Sequence, residues 1–343
     1  METNRSTTSL TQIVDLIKKS QNIVLTTHRQ CDGDGLGCEL ALYFALKKIG
    51  KMVTIINVDE TPKKYRFLTP DHYIQYFNQN QQLPDRIDLV LIFDTNDYRL
   101  VEPLFSELVL RSSKILFIDH HPLLKMGPQP NEDSYINMDA ASTGELVYSI
   151  IRLLKIPLDP QIAKALYTSV TFDTQLYRFI RNSPKSHLIA ARLLRYDIQP
   201  EEVHRHLFSH QTVDKIEFLA KVFSNIEYYS NGILACVTLS KKDLDYHRLT
   251  FDEVRDITDQ IMSIESIEVA LVIRQDTEQS FKVSLRSKGI IEVLSAAESI
   301  GGGGHWYAAG GNYVGQLTTL KSHLINHLTR ALDEVKLKSA ASN

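Results

Sequence analysis

The sequence predicts an α/β protein, with an N-terminal parallel sheet carrying helices on both faces and a smaller C-terminal α/β domain. Three observations lead there. Four short apolar runs, at 23–25, 52–58, 89–93 and 114–118, alternate with stretches of helical periodicity, the pattern of βα repeats. These runs are apolar at consecutive positions, which marks strands buried on both faces. Beyond about residue 230 the pattern changes to strand-like runs at 232–239, 269–274 and 281–286, with fewer helical stretches between them.

Taken in order, residues 10–19 (LTQIVDLIKK) place apolar side chains at helical spacing, and strand 23–25 follows. Residues 39–49 are rich in helix formers and stop at Gly50, a residue suited to ending a helix. Strands 52–58, 89–93 and 114–118 come next, then helical patterns at 143–154, 159–173 and 184–196. Residues 201–229 interleave charged and apolar positions and read as a long helical connection. The C-terminal part adds helices at 251–261 and 292–298, a glycine run at 301–304, a strand and a final helix near 317–335. The expected organisation is a first domain over 1–195, a helical linker over 196–229 and a second domain over 230–343. No internal repeat is visible.

Composition narrows the function. A length of 343 residues accommodates two domains. A formal net charge of −3 lacks the basic surplus of proteins that track long nucleic acid, so any nucleic-acid substrate should be short or held locally. Three unpaired cysteines, Cys31, Cys38 and Cys236, suit a reducing compartment and argue against a disulfide framework or a structural zinc site. The first dozen residues are polar, and no stretch approaches the ~18–20 apolar residues of a spanning helix. The expected location is the cytoplasm, away from membranes.

Chemistry concentrates at strand ends. Strand 23–27 runs into His28, then Asp32 and Asp34; strand 89–93 runs into Asp94; strand 115–118 runs into Asp119, His120 and His121. In a parallel sheet these side chains converge on one rim, where ligands bind. Packed carboxylates repel one another unless a cation lies between them, and carboxylates with imidazoles but no thiolates suit Mn²⁺ or Mg²⁺ better than zinc. Competing motifs fail. A calcium loop starting at Asp32 would need an oxygen ligand at Leu36 and a Glu at Tyr43, and Gly33, Gly35 and Gly37 have the wrong spacing for dinucleotide binding. For any one of His28, Asp32 and Asp34, a capped turn at a strand end is an equal alternative; the full set at strand termini favours metal.

Five motifs then occur in order: H-x-x-x-D-G-D-x-x-G from His28, V-L-I-F-D-T-N-D-Y-R-L from Val90, D-H-H from Asp119, F-D-T from Phe172 and G-G-G-H-x-x-A-A-G from Gly302. Together they resemble the DHH/DHHA1 phosphoesterases over nearly the whole chain, most closely the branch of bacterial nanoRNases and pAp phosphatases. The resemblance implies a two-metal, in-line hydrolysis by a bridging hydroxide. It assigns His28 and Asp32 to one ion, Asp34, His120 and Asp173 to the other, and Asp94 to both. It places His121 at the scissile phosphate or leaving group, with Asp94 and Asp34 also in the catalytic set and Asp119 orienting a histidine. The expected cofactors are two divalent ions, Mn²⁺ first and Mg²⁺ or Co²⁺ as alternatives. The expected substrates are short RNA, linear dinucleotides such as pApA, and pAp; cyclic dinucleotides are the alternative, and a non-catalytic nucleotide sensor the alternative of another class.

The C-terminal motif supplies substrate capture. Gly302, Gly303 and Gly304 let backbone amides approach a phosphate, and His305 and Arg286 can contact its oxygens. Trp306 or Tyr307 can stack on a base or pack in the core. Arg99 reaches a phosphate or pairs with a carboxylate. The partners expected are a short RNA or nucleotide and, as a homodimer, a second copy of the chain. The sequence departs from the family pattern at Cys31, Gly35, Cys38, Gln175-Leu176 and Trp306, which leaves the metal set intact and the substrate open.

Overall fold

The computed structural model describes residues 8–68, 73–78, 83–123, 127–209, 211–254 and 256–341. The polar stretch at 1–7 lies outside them. The chain divides into two compact units, Met1–His210 and Gln211–Asn343.

The first unit is built on a six-stranded, all-parallel sheet of β1 (Asn22–Thr27), β2 (Met52–Asn57), β3 (Ile74–Tyr76), β4 (Leu89–Phe93), β5 (Ile115–Asp119) and β6 (Tyr135–Ile136). Its spatial order is β3-β2-β1-β4-β5-β6. Successive strand residues leave for opposite faces. Ile23, Leu25, Leu89, Leu91 and Phe93 enter one core with helices α1 (Leu10–Lys19), α2 (Gly33–Lys48), α4 (Thr143–Leu153), α5 (Pro160–Asp173), α6 (Lys185–Leu193) and α7 (Pro200–Phe208). Val24, Val90 and Ile92 enter a second core beneath α3 (Leu104–Arg111). Burial on both faces is why these strands read as unbroken apolar runs.

The order reverses between β1 and β4, and the crevice outside the carboxyl ends of these two strands is the natural ligand site of such a sheet. His28 follows β1 and Asp94 follows β4.

Helix α2 starts at Gly33, six residues before the expected helix, because the D-G-D-G-x-G segment is the helix's first turn rather than a free loop. Asp32 caps it, accepting the amides of Asp34 (3.0 Å) and Gly35 (3.4 Å). The glycines serve close approach. A Cβ at Gly35 would strike the Thr27 hydroxyl, and one at Gly37 would strike the Ala165 carbonyl and Ser169 of α5.

The second unit has a mixed sheet of β7 (Glu227–Tyr229), β8 (Leu234–Leu239), β9 (Val269–Gln275), β10 (Ser280–Ser287), β11 (Gly303–His305) and β12 (Ala308–Val314), in the order β11-β12-β10-β9-β8-β7. Only β8 and β9 pair in parallel. Helices α8 (Val213–Ser224), α9 (Lys241–Tyr246) and α10 (Ile257–Met262) cover one face; α11 (Leu294–Glu298) and α12 (Leu317–Ala341) cover the other.

Residues 201–229 are two helices and a strand rather than one continuous connector. Val203 and Leu207 of α7 are buried in the first unit, and Phe218, Leu219 and Val222 of α8 in the second. The interleaved pattern came from two amphipathic helices read as one. Of the helix expected at 251–261, a 3₁₀ turn at Asp252–Val254 and α10 form, and residue 255 lies outside the described residues.

Candidate metal centre

The elements of the first unit bring His28, Asp32, Asp34, Asp94, His120 and Asp173 together at the carboxyl ends of β1, β4 and β5 and the end of α5. Three donor groups form, each with ligand atoms within 4.8 Å of one another: His28, Asp32 and Asp94; Asp34, His120 and Asp173; and Asp94, Asp119, His120 and His121. Asp94 ties them. Its Oδ2 lies 3.6 Å from His28 Nε2, and its Oδ1 lies 3.7 Å from both His120 Nε2 and His121 Nδ1. The residue adopts a left-handed backbone (φ 60°), a strained conformation for a side chain other than glycine, at the turn leaving β4.

Each donor is fixed by neighbours. Asp34 is fully buried and accepts the α4 N-terminal amides of Thr143 (2.7 Å) and Gly144 (3.0 Å), together with the Ser169 hydroxyl. Thr143 also donates its hydroxyl to Asp94 Oδ1 at 3.0 Å. His120 Nδ1 lies 3.2 Å from the Ala140 carbonyl and donates to it, which turns Nε2 inward as an acceptor. Asp119, fully buried, accepts the His120 amide (2.8 Å) and His121 Nδ1 (2.9 Å). The Asn96 amide group holds this loop from behind, donating to Asp119 Oδ2 (2.8 Å) and to the carbonyls of His121 (3.1 Å) and Pro122 (3.3 Å).

Electrostatics show what these groups suit. Burial pushes the Asp94 carboxyl well above the ordinary range, and the nearby Asp34, Asp32, Asp119 and Asp173 push it further. Asp34 is raised by burial despite its donors, and Asp173 is pushed up to about 8, by burial first and then by Asp34 and Asp32. Burial lowers His120. Its Nε2 is buried without a hydrogen-bond partner among the described residues, yet it faces Asp173 Oδ2 at 3.1 Å, Asp94 Oδ1 at 3.7 Å and Asp34 Oδ2 at 3.9 Å. A lone pair aimed at carboxylate oxygens is repulsive unless a cation lies between. Donors that share an ion at about 2.1 Å stand roughly 3–4 Å apart, so these separations fit. The residues present therefore suit divalent metal.

Thiols take no part in that set. Cys31 and Cys38 are buried and held protonated by burial, and Cys38 donates to Asp34 Oδ1 at 3.5 Å. His121 differs from His120. It is half exposed, and its bond to Asp119 raises its pKa, so it holds a proton more firmly than a free imidazole. Burial works against Asp119, but the His121 bond and both imidazoles hold it below its ordinary value.

In the second unit Gly303 and Gly304 of the glycine run belong to an edge strand, and Gly301 and Gly302 lead into it from α11. Gly303, Gly304 and His305 pair with Gly310, Ala309 and Ala308, and the Gly302 amide donates to Ala297 O at 2.9 Å. His305, Ala308 and Arg286 stand directly opposite one another on β11, β12 and β10, so their side chains leave the same face, with strands about 4.8 Å apart. A cavity of about 380 Å³ is lined by Leu294, Gly304, His305, Trp306, Tyr307 and Ala308. Trp306 (62% exposed) and Tyr307 (44%) are surface residues rather than core. Arg99 forms a bidentate pair with Asp97, Nε–Oδ1 2.9 Å and Nη2–Oδ2 2.7 Å.

Two family models match this chain: the DHH family, N-terminal domain, over residues 22–170, and the DHHA1 domain over residues 234–336. The chain belongs to the DHH/DHHA1 family. As a DHH protein it is a hydrolase of the phosphoesterase class, and metal dependence is a family property. It is similar to a Thermus thermophilus protein named bifunctional oligoribonuclease and PAP phosphatase NrnA, 28% identical over 85% of this chain and 84% of that protein. A probable NrnA of Streptococcus mutans is 26% identical over 89% of this chain and 94% of that protein. A cyclic-di-AMP phosphodiesterase of Bacillus subtilis, GdpP, is 25% identical over 93% of this chain but only 49% of that protein. An exopolyphosphatase-related protein from Bacteroides fragilis shares the fold, with a TM-score of 0.80 at 21% identity over 97% of this chain and all of that one. No helix among the described residues is long and apolar enough to cross a membrane.

The sequence reading missed the supports of the DHH site: Asn96, Thr143, Ser169 and the Ala140 carbonyl. One signal was available. Ser142-Thr143-Gly144-Glu145 has the S-x-x-E spacing of a helix start, and a helix N-terminus beside acidic ligands would predict amides directed at a carboxylate.

Proposed function

We propose that this protein hydrolyses RNA of two to five nucleotides and linear dinucleotides such as pApA, and removes phosphate from pAp, with two Mn²⁺ ions as cofactor. The observation that carries the reading is Asp94, whose two oxygens face separate donor sets, His28 with Asp32 on one side and Asp34, His120 and Asp173 on the other. Mn²⁺ is favoured over zinc by an all oxygen-and-imidazole set from which both nearby thiols are excluded. When bound, the ions would lower the pKa of a water and stabilise charge on the phosphoryl oxygens.

The chain's own groups do the rest. With the cations in place Asp34 and Asp94 would carry negative charge in a buried setting, and they are locked there by the α4 amides and Thr143. His121, oriented through Nδ1 by Asp119, keeps Nε2–H for the substrate, where it contacts a phosphate oxygen or delivers a proton to the leaving oxygen. In the second unit, His305 and Arg286 supply two hydrogen-bonding contacts in register on one sheet face, suited to phosphate. The adjoining cavity with exposed Trp306 and Tyr307 suits a base. Gly303, with open space where a Cβ would stand, leaves that edge free for a ligand to approach, whereas Gly302 and Gly304 lie too close to β12 for any side chain.

The test is a panel incubated with Mn²⁺: pApA, pAp, a cyclic dinucleotide, inorganic pyrophosphate and a 24-mer RNA. Cleavage of pApA and pAp well ahead of the 24-mer supports the reading. The similarity to GdpP favours a second reading, cyclic-dinucleotide hydrolysis at the same residues, which preferential cleavage of the cyclic compound would establish. No turnover of any compound, with tight nucleotide binding, would identify a sensor instead.

A further inference from the structure

The segment that follows Asp173 is given no task by the metal centre. Five of its non-glycine residues, Gln175, Leu176, Tyr177, Arg181 and Asn182, have left-handed backbones, with φ between 47° and 65°. Such a path persists only where its surroundings enforce it. Here hydrogen bonds do so: Leu176 N to Thr171 O (3.0 Å), Tyr177 N to Thr174 Oγ1 (3.0 Å), Phe179 N to Thr174 O (3.0 Å) and Ser183 N to Ile180 O (2.9 Å).

What this fixed path displays is unusual beside a cluster of carboxylates. Phe179 is 55% exposed, and its ring has the Arg178 guanidinium 5.7 Å away. Its amide bonds to Thr174, the residue next to the candidate ligand Asp173, which ties its backbone to the end of α5 that carries that ligand. Arg181 donates from Nη1 to Met138 O at 3.2 Å, in the same 137–140 stretch whose Ala140 carbonyl holds His120. That one bond uses a single donor of a guanidinium that has five. An exposed phenylalanine alone is ordinary. One held by a strained, hydrogen-bonded turn, flanked by two arginines and adjoining a phosphoester site, has the parts that recognise a nucleotide: a flat apolar face and fixed cations.

We propose that residues 174–182 form a nucleotide-binding element within the first unit, in which Phe179 stacks on a substrate base and Arg181 contacts an oxygen of a substrate phosphate. The inference deepens the proposed function and rests on it for the identity of the substrate. It makes the first unit selective for base-bearing phosphoesters rather than for phosphate esters in general.

The experiment compares wild type with Phe179→Ala, Phe179→Tyr and Arg181→Gln, using full-length protein with Mn²⁺. Affinity and turnover are measured for pApA and for the same dinucleotide with both bases removed. Stacking on one ring is worth ~1–3 kcal/mol, so Phe179→Ala should reduce the preference for pApA over the abasic compound about tenfold, and Phe179→Tyr should retain it. Arg181→Gln should weaken binding of both compounds about tenfold, as loss of a charged hydrogen bond does. A Phe179→Ala preference equal to wild type overturns the base contact. Equal loss in Phe179→Ala and Phe179→Tyr assigns the ring to packing and overturns it as well. Unaltered affinity in Arg181→Gln overturns the phosphate contact. If wild type binds pApA without cleaving it, the hydrolase reading fails, while the affinity ratios still decide this proposal.

Discussion

Replacing Glu39 by Gln should stabilise the protein by an amount that grows with pH. Glu39 lies in α2, fully buried; its Oε2 accepts the Asn57 side-chain amide at 2.9 Å, and its Oε1 has no hydrogen-bond partner among the described residues. Burial lifts its pKa from 4.5 to about 8, against the opposing Asn57 bond. The folded form therefore binds a proton that the unfolded form releases, and stability contributed by that proton falls as pH rises from about 4.5 to about 8 and then levels off. Integrating those two values gives a loss of about 1 kcal/mol by pH 5, about 3 by pH 7 and nearly 5 by pH 9, a difference of roughly 4 kcal/mol between pH 5 and 9. Glutamine keeps the acceptor for Asn57 and cannot ionise. The assay is denaturant unfolding of metal-stripped wild type and Glu39→Gln at pH 5, 7 and 9. The metal-centre residues are the same in both proteins, so their contribution cancels in the difference. A gap that widens by several kcal/mol toward pH 9 is expected; parallel stability curves would refute the reasoning.

Asp94→Asn should abolish turnover while far-UV circular dichroism stays native, because the carboxylate shared by both donor sets is lost; wild-type rates with Mn²⁺ present would refute the bridging role. Asn96→Ala removes three hydrogen bonds from the loop that carries His120 and His121, and should lower kcat roughly 10–100-fold, as measured by pApA hydrolysis at saturation. Arg286→Ala and His305→Ala should mainly raise KM for pApA, and unchanged kinetics in both would remove the second unit from phosphate capture.

The parallel sheet was legible in the sequence because its strands are buried on both faces and so read as continuous apolar runs. The edge strands β3 and β6 were not, since segments of two or three residues carry no periodicity. The candidate metal donors were legible because five of the six follow strand ends in three separate stretches, and topology alone brings those ends together. The beginning of α2 was misplaced because glycines that allow tight packing against Thr27 and α5 look the same in sequence as glycines that allow turns. The supports of the centre, Asn96, Thr143 and Ser169, are ordinary polar residues until the fold sets them against Asp119, Asp94 and Asp34. Phe179 and Arg181 escaped for the same reason, since the backbone that carries them follows a hydrogen-bonded path after Asp173 that the sequence does not announce.

The most direct measurement is the number of Mn²⁺ ions bound per chain, by calorimetric titration of metal-stripped wild type and Asp94→Asn. Two ions on wild type and fewer than two on the variant is the result expected of a centre joined through Asp94. One ion on wild type, or two held undiminished by the variant, would contradict it.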